Sequence, residues 1–185
     1  MLGRAAAEGL IAGGVLPVVK HIPGHGRARA DSHLEPPVVE ASWEDLDARD
    51  FAPFRTLSDM PMAMSAHVVY SAIDPDRPGT LSATVITEVI RGAIGFEGLL
   101  MTDDLSMNAL GGSYTARARD ALKAGCDIIL HCNGDMDEMK AVARGSRTLR
   151  GASERRAVAA MARLARVAEP FDVEAARRRF EAVMA

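Results

Sequence analysis

The sequence predicts an α/β fold with a parallel sheet, and three observations lead to this prediction. Apolar runs of strand length recur along the chain, at residues 16–22, 61–69, 98–102 and 127–131. Segments with helical spacing of apolar residues separate these runs, and such alternation is typical of βα units. The first three runs lead directly into stretches rich in histidine, aspartate or glycine, as expected at the carboxyl ends of strands in α/β folds.

Three internal helices are predicted from residues that begin or end helices. Ser42 and Ser82 can each accept a hydrogen bond from a free N–H group of a first turn, and Asp45 forms a capping box with Ser42. Gly95 and Gly125 can end the helices that precede them, because glycine readily adopts a positive φ. The three helices are predicted over residues 43–49, 82–94 and 115–124.

The end of the chain is predicted to be helical throughout, over residues 136–143, 153–167 and 173–184. No repeat or linker divides the chain, so we expect one unit (1–185), with strands and loops in residues 1–134 and helices in residues 135–185. Four βα units make half of a (β/α)8 barrel, and such barrels rarely run below about 200 residues. The sequence therefore predicts a partial (β/α)8 barrel: the last four βα units and a helical tail, without the N-terminal half.

Composition excludes several classes of protein. No run of 18 apolar residues exists and the mean hydropathy is +0.01, so a membrane-spanning helix is not expected. Arg4 and Glu8 interrupt the apolar N-terminal stretch, which argues against a secretory signal. Cys126 and Cys132 are too few for a disulfide framework, so we expect free thiols in a reducing compartment and a cytoplasmic location.

The charge pattern does not indicate a nucleic-acid partner. The net charge is −3, and the arginines that enrich residues 141–185 have few aromatic neighbours, Phe180 among them. Proteins that bind single-stranded RNA place stacking aromatic rings beside their positive charge. We interpret the arginines as a solvated helical face.

The residues that can carry chemistry follow the ends of three predicted strands. The first end carries KHIPGHG at residues 20–26 and then DSH at residues 31–33. The second carries MSAH at residues 64–67, and the third carries TDDLSM at residues 102–107. In α/β folds, chemistry gathers at the carboxyl ends of parallel strands, so we expect these motifs to belong to one site.

The residue types in these motifs suggest separate roles. Lys20 and a neutral His21 suit the hydroxyl or anionic groups of a ligand, and Asp103 is placed for a nucleophile or a metal ligand. Asp31 and His33 are two positions apart, a spacing that allows the carboxylate to bond one imidazole nitrogen and fix its tautomer.

Each candidate also has an ordinary structural interpretation. His67 can be a packed, hydrogen-bonded residue, and one of the two aspartates of TDDLSM can cap the helix that follows. Imidazole and carboxylate groups also suit zinc or iron, and a metal cluster could use His21, His25, Asp31 and His33. No HExxH spacing supports a metal, so the predicted site contains none.

The motifs KHIPGHG, DSH, MSAHVVY and TDDLSM, in this order, resemble glycoside hydrolase family 3, and most of all its bacterial beta-N-acetylhexosaminidases. The resemblance extends over residues 12–133. It implies a retaining hydrolase that removes terminal beta-linked N-acetylglucosamine from cell-wall muropeptides. It also implies a carbohydrate partner and no metal or organic cofactor.

The resemblance assigns a role to each matching residue. Asp103 corresponds to the nucleophile that forms a glycosyl-aspartate intermediate, His33 to the general acid/base and Asp31 to its dyad partner. Lys20 and His21 correspond to residues that contact the sugar. Retaining glycosidases usually pair two carboxyl groups. A histidine can replace one of them because its reference pKa of about 6.5 suits proton transfer near neutral pH.

The chain departs from the family pattern at its front. Family members have further barrel strands before the KHIPGHG motif, and an aspartate and an arginine there bind the sugar. Two alternatives therefore stay open: phosphorolysis, because a neutral His33 would not repel phosphate, and an inactive fragment of the same family. Self-association is also expected, because inward-facing residues such as Val18, Met64 and Ile128 would lack the strands that cover them.

Overall fold

Four parallel strands form the main sheet in the computed structural model of the protein. The structure describes residues 2–28, 37–164 and 170–184. Its strands, in chain order, are β1 Val18–Ile22, β2 Val38–Val39, β3 Met62–Ser65, β4 Val69–Tyr70, β5 Leu99–Asp104 and β6 Ile128–Leu130. The main sheet has the order β1-β3-β5-β6, with every neighbouring pair parallel. The prediction of an α/β fold with a parallel sheet is confirmed.

Helices lie before, between and after the strands in the described part of the chain. The α-helices are α1 Leu2–Ala12, α2 Trp43–Asp45, α3 Ala52–Arg55, α4 Tyr114–Ala124, α5 Met136–Gly145, α6 Gly151–Ala162 and α7 Val173–Met184. Wider, π-type segments cover Leu46–Asp50 and Val85–Ala93, and a 3-10 turn covers Gly79–Leu81. The second π-type segment is the helix predicted over residues 82–94. Its buried residues are all valine or isoleucine, whose branched side chains crowd the turns of an α-helix.

The predicted helix ends are confirmed by their hydrogen bonds and dihedral angles. The Ser42 hydroxyl accepts from the N–H of Asp45 at 3.2 Å, and the Ser82 hydroxyl accepts from the N–H of Val85 at 3.1 Å. Gly125 ends α4 with a φ of 123°. Local sequence signals therefore place these helices correctly.

The strand predicted over residues 61–69 is wrong in its second half. β3 ends at Ser65. The N–H of Ala66 still donates to the carbonyl of Ile22 on β1 at 2.9 Å, but its own carbonyl accepts from the N–H of Thr80, outside the sheet, at 3.2 Å. The chain then turns, and β4 pairs with β2 in a second, two-stranded parallel sheet that the sequence analysis did not predict.

The structure describes three helices in the predicted helical tail. α7 has the predicted bounds, and α5 runs two residues beyond its predicted end. The helix predicted over residues 153–167 is wrong at both ends: α6 begins two residues earlier, at Gly151, and ends at Ala162, where residues 163 and 164 form a turn. The predicted residues 165–167 lie outside the described residues. Within the described ranges, no helix is long and apolar enough to cross a membrane.

One face of the main sheet packs on helices and the other is more open. Ala63 and Leu100 are fully buried in the main core cluster, against the Val85–Ala93 segment. Val18, Met64 and Ile128 alternate with the packed residues of their strands and are only partly buried. These three are the residues that the sequence analysis expected to lack a cover.

The carboxylate of Asp127 ties the tail to the sheet. Its side chain is 1% exposed. One oxygen accepts from the N–H of Leu100 and from Arg91, each at 2.9 Å. The other accepts from the Ser153 hydroxyl at 2.7 Å and from Arg156 at 3.2 Å. This single group therefore joins β5, the Val85–Ala93 segment and α6.

Replacement of this carboxylate is expected to destabilise the fold. Asp127→Ala removes the buried acceptor that two arginines, a serine hydroxyl and a backbone N–H share, so we expect a loss of about 3–5 kcal/mol in the free energy of unfolding. Urea unfolding followed by circular dichroism measures it. Glu97→Gln is the matched control: Glu97 pairs with the same Arg156 at 3.7 Å but is 75% exposed, so at most about 1 kcal/mol is expected. Equal losses in the two variants would contradict the role of Asp127.

Candidate active site

Polar side chains from four strand ends come together at one edge of the main sheet. They belong to β1, the turn after β3, the end of β5 and the residue after β6, and are Lys20, His21, His67, Asp103, Asp104 and His131. His21 lies 3.5 Å from the Asp103 carboxylate, while His67 and His131 lie 3.0 Å from the backbone carbonyl and 3.9 Å from the carboxylate of Asp104, respectively. The predicted dyad residues Asp31 and His33 lie outside the described residues.

The carboxylate of Asp103 occupies the end of β5 and is mostly buried. Its Oδ1 accepts from the N–H of Asp104 at 2.8 Å, and its Oδ2 lies 3.5 Å from Nε2 of His21. The side chain is 16% exposed. One oxygen is therefore fixed by the backbone, while the other is within reach of a ligand beside His21.

His21 is partly buried beside this carboxylate. Burial lowers the pKa of its ring, the Asp103 carboxylate raises it, and electrostatic interactions with Lys20 and His25 lower it, with a net shift downward. The neutral ring therefore faces Asp103 at neutral pH. Lys20 precedes it on β1 and is exposed, and a cis peptide bond joins the two residues.

Two hydrogen bonds fix the chain beyond β1. The carbonyl of Gly24 accepts from the buried Tyr70 hydroxyl at 2.7 Å, and Arg27 donates to the Asp50 carboxylate at 2.7 Å. Gly24 has a φ of 142°, and a Cβ there would lie 3.4 Å from the Cβ of Asp50, so this position requires glycine. The chain is thus held in place shortly before residues 29–36, which carry the predicted dyad.

His67 is buried and fixes the backbone at the end of β5. Its Nε2 lies 3.0 Å from the carbonyl oxygen of Asp104, which can only accept, so Nε2 carries the ring proton. Its Nδ1 then accepts from the Thr80 hydroxyl at 2.7 Å. Burial is the main cause that lowers the pKa of His67, which keeps the ring neutral. The interpretation of His67 as a packed, hydrogen-bonded residue agrees with these contacts.

Asp104 shapes the turn that follows β5. Its carboxylate accepts from the N–H and the hydroxyl of Ser106, at 3.0 and 2.5 Å, and from the N–H of Cys132 at 3.1 Å. Burial raises the pKa of Asp104, but these bonds and the nearby His131 outweigh it and lower the pKa overall. The aspartate was expected to cap a helix; it caps a turn instead, since Ser113 caps α4.

His131 lies at this edge, although the sequence analysis did not include it in the site. It follows β6, its side chain is 5% exposed, and its Nδ1 lies 3.9 Å from Oδ1 of Asp104. The signal that could have found it is the one that found the others: a histidine at the carboxyl end of a predicted strand.

The metal alternative receives no support from the described ranges. Within them, no group of three or more histidine, cysteine, aspartate or glutamate side chains is arranged to hold a metal ion. The rings of His21 and His25 lie 5.8 Å apart between centroids. The other two members of that cluster, Asp31 and His33, are not among the described residues.

The sequence matches known carbohydrate-active proteins. Residues 1–167 match the family described as Glycosyl hydrolase family 3 N terminal domain. The Beta-hexosaminidase of Tolumonas auensis is 44% identical over 137 residues, covering 71% of this chain and 41% of the relative. That of Alkalilimnicola ehrlichii is 45% identical over 136 residues, covering 71% and 39%. The chain thus spans about two fifths of the length of these curated relatives.

The fold of this chain is also similar to those of solved structures. A glycoside hydrolase family 3 beta-N-acetylglucosaminidase from Paenibacillus sp. str. FPU-7 superposes with a TM-score of 0.79 at 34% identity, over 93% of this chain and 36% of that chain. NagZ from Neisseria gonorrhoeae, in complex with N-trifluoroacetyl-D-glucosamine, superposes with a TM-score of 0.64 at 34% identity, over 89% and 53%.

Proposed function

Because the chain belongs to glycosyl hydrolase family 3, we propose that it carries the nucleophile and the acid/base of a retaining glycosidase that removes terminal beta-linked N-acetylglucosamine from cell-wall muropeptides. The observation that carries this proposal is the Asp103 carboxylate, fixed on one oxygen by a backbone N–H and facing neutral His21 with the other. The choice of sugar is supported by a similar structure that is named a beta-N-acetylglucosaminidase.

In this proposal the main sheet is the second half of a (β/α)8 barrel. Its strands are parallel and lie in chain order, as successive βα units of a barrel do. The partly buried side chains of Val18, Met64 and Ile128 then face the barrel interior. The site lies at the carboxyl ends of the strands, which is where barrel enzymes carry their catalytic residues.

The first chemical step transfers the sugar to Asp103. Its Oδ2 attacks the anomeric carbon while the bond from that carbon to the leaving oxygen breaks. His33 donates a proton to the leaving oxygen, so the aglycone departs as a neutral alcohol. Because the side chain of Asp103 is mostly buried and its other oxygen is already bonded, the nucleophile is oriented before the sugar arrives.

The second step returns the enzyme to its starting state. His33, now neutral, removes a proton from a water molecule that attacks the same carbon, and the bond to Asp103 breaks. Two inversions at one carbon give net retention of configuration. Asp31 orients the imidazole and stabilises the imidazolium that donates the proton in the first step and forms again in the second.

The remaining residues bind the sugar. Lys20 donates from an exposed ammonium group, and the neutral ring of His21 can donate to or accept from a sugar hydroxyl. We assign the reaction to the cytoplasm because Cys126 and Cys132 are free thiols. Burial raises the pKa of Cys126 to about 12, so this thiol is unreactive.

A chromogenic N-acetylglucosaminide tests the proposal on the longest natural form of the protein. We expect release of the phenol and of free N-acetylglucosamine, and no sugar phosphate when inorganic phosphate is added. The matching beta-glucoside, which lacks the acetamido group, is the control and should react far more slowly. A folded protein that releases no phenol would overturn the proposal, and sugar phosphate as the product would replace hydrolysis with phosphorolysis.

The polypeptide of 185 residues is expected to self-associate and to be inactive when prepared alone. Its open sheet face would be covered by association, because monomers rarely expose large apolar patches. Light scattering and the chromogenic assay measure both expectations. Met64→Lys should weaken association, whereas Val183→Lys, at a position 83% exposed on α7, should leave it unchanged. A monomer with ordinary turnover would contradict this prediction.

A further inference from the structure

Three buried polar side chains beside the candidate active site form a hydrogen-bonded row that ends at β5. They are Ser65, the last residue of β3, His67, two residues beyond it, and Thr80, in the 3-10 turn Gly79–Leu81. None of the three is more than 1% exposed. Oγ1 of Thr80 lies 2.7 Å from Oγ of Ser65 and 2.7 Å from Nδ1 of His67. On the other side of the ring, Nε2 lies 3.0 Å from the carbonyl oxygen of Asp104.

Backbone contacts place the Thr80 hydroxyl against this ring. The N–H of Gly79 donates to the carbonyl of Val68 at 2.8 Å, and the N–H of Thr80 donates to the carbonyl of Ala66 at 3.2 Å. A Cβ at Gly79 would lie 3.2 Å from that Ala66 oxygen, so a larger residue would crowd the approach of the 3-10 turn to the residues after β3. Threonine adds little freedom of its own, because its branched side chain is stiff about χ1.

The ring of His67 stays neutral in these surroundings. Burial lowers its pKa and outweighs the opposite effects of the bond to the Asp104 backbone and of the nearby Asp103 and Asp104 carboxylates. The interaction with His21 lowers the pKa further. A neutral imidazole has one donor and one acceptor nitrogen, so the two sides of the ring need partners of opposite kinds.

The acceptor at the end of the row sets the direction of its hydrogen bonds. The Asp104 carbonyl can only accept, so Nε2 of His67 donates and Nδ1 accepts from the Thr80 hydroxyl. The Ala66 carbonyl also lies 3.1 Å from this hydroxyl, but it already accepts from the N–H of Thr80. Nδ1 has no second donor among the residues that the structure describes, and a buried acceptor without a donor costs stability. The Thr80 oxygen then accepts from the Ser65 hydroxyl.

Asp104 connects this row to the proposed nucleophile. Its carbonyl is held by His67, and its N–H donates to Oδ1 of Asp103 at 2.8 Å. A shift of this backbone would therefore displace the N–H that orients the Asp103 carboxylate. The carboxylate of Asp104 has its own bonds to Ser106 and Cys132, so loss of the row should loosen this backbone without releasing it.

We propose that Thr80 is a positioning residue for the reaction at Asp103. Its hydroxyl, itself held by Ser65, keeps the ring of His67 on the carbonyl of Asp104. The backbone that orients the nucleophile is thereby fixed from a turn in another part of the chain. The row itself does not depend on what the protein catalyses, whereas its effect on turnover rests on the proposed function.

Nitrogen-15 NMR of the histidine rings tests the row in the longest natural form of the protein. His67→Phe identifies the resonances of His67. In the parent we expect Nε2 to have the shift of a protonated nitrogen, and Nδ1 that of an unprotonated nitrogen that accepts a hydrogen bond. Thr80→Val keeps the shape of the side chain without the hydroxyl and should move Nδ1 toward the shift of an unbonded nitrogen, whereas Thr80→Ser should not. A protonated Nδ1 in the parent, or no change in Thr80→Val, would overturn the row.

Kinetics of the same variants separate positioning from a purely structural role. Thr80→Val should lower kcat about 10-fold with little change in KM, because the sugar still binds but the nucleophile is less well oriented. Thr80→Ser should restore most of the rate. Thr115→Val is the matched control: it removes a hydroxyl that donates to the Ala141 carbonyl at 2.8 Å, between α4 and α5, and should leave kcat and the His67 shifts unchanged. An unchanged kcat in Thr80→Val, or an equal loss in Thr115→Val, would overturn the positioning role.

Ser65→Ala tests the same row without a change at Thr80, should Thr80→Val not fold. It removes the donor to the Thr80 oxygen, so Nδ1 of His67 should shift in the same direction and kcat should fall less than in Thr80→Val. If neither quantity changes in Ser65→Ala, the proposal is overturned. Absence of turnover in every form would overturn the proposed function, and the NMR result would still decide whether the row exists.

Discussion

Asp103→Ala is expected to abolish hydrolysis of N-acetylglucosaminides by an active form of the protein. The variant has no carboxylate to form the glycosyl ester, and a water molecule cannot replace it in the geometry of retention. Removal of a covalent nucleophile lowers kcat by on the order of 10⁶-fold in a well-studied protease, and we expect a loss that approaches this size. Steady-state kinetics with a chromogenic substrate measures it.

A 2-fluoro glycosyl donor separates Asp103 from its neighbour. It should form a stable ester, and peptide mapping should find the sugar on Asp103. Asp104→Asn is the comparison: it disturbs the turn at Ser106 and should slow labelling, but the label should stay on Asp103. A label on Asp104 would overturn the assignment of the nucleophile.

The parts of the fold that depend on local sequence were predictable. The four strands of the main sheet follow from short apolar runs, and the ends of the internal helices follow from residues such as Ser42, Ser82 and Gly125. Each of these signals acts within a few residues, because caps and turns satisfy backbone groups of the same turn. The order of the main sheet then agrees with the chain order of the strands.

The parts that depend on distant partners were not predictable from the sequence. After Ser65 the carbonyl of Ala66 bonds to Thr80, outside the main sheet, and the pair β2–β4 joins segments about 30 residues apart. The sequence identifies Asp127 only as the first residue of a predicted strand. Its role in joining the tail to the sheet depends on arginines from two other elements. The spacing of apolar residues along the sequence does not reveal contacts between residues that are far apart in the chain.

The candidate site likewise contains residues that were predictable from the sequence and one that was not. Lys20, His21 and Asp103 could be selected because each stands at the carboxyl end of a predicted strand within a motif. His131 has the same position but no recognisable motif around it, and only the structure shows that it lies near Asp104 and Glu138. Position on a strand is therefore a more general signal for this site than the motifs themselves.

His33→Ala is expected to slow substrates with poor leaving groups by about 10²–10⁴-fold, the usual range for loss of general acid/base assistance. Substrates with activated phenols should be affected far less in the first step, because such phenolates leave without a proton. Asp31→Asn should give a smaller loss with the same dependence on the leaving group, since the ring remains but is less well oriented.

A comparison within the same loop distinguishes proton transfer from binding. His25→Ala removes a ring that lies 5.8 Å from His21, beside the bound sugar in the proposed complex. Any loss it causes should be equal for both classes of substrate, because binding contacts do not depend on the leaving group. A plot of log kcat/KM against the pKa of the leaving phenol should therefore steepen in the His33 and Asp31 variants and keep its slope in the His25 variant. An unchanged slope in His33→Ala would mean that His33 binds the sugar and does not transfer the proton.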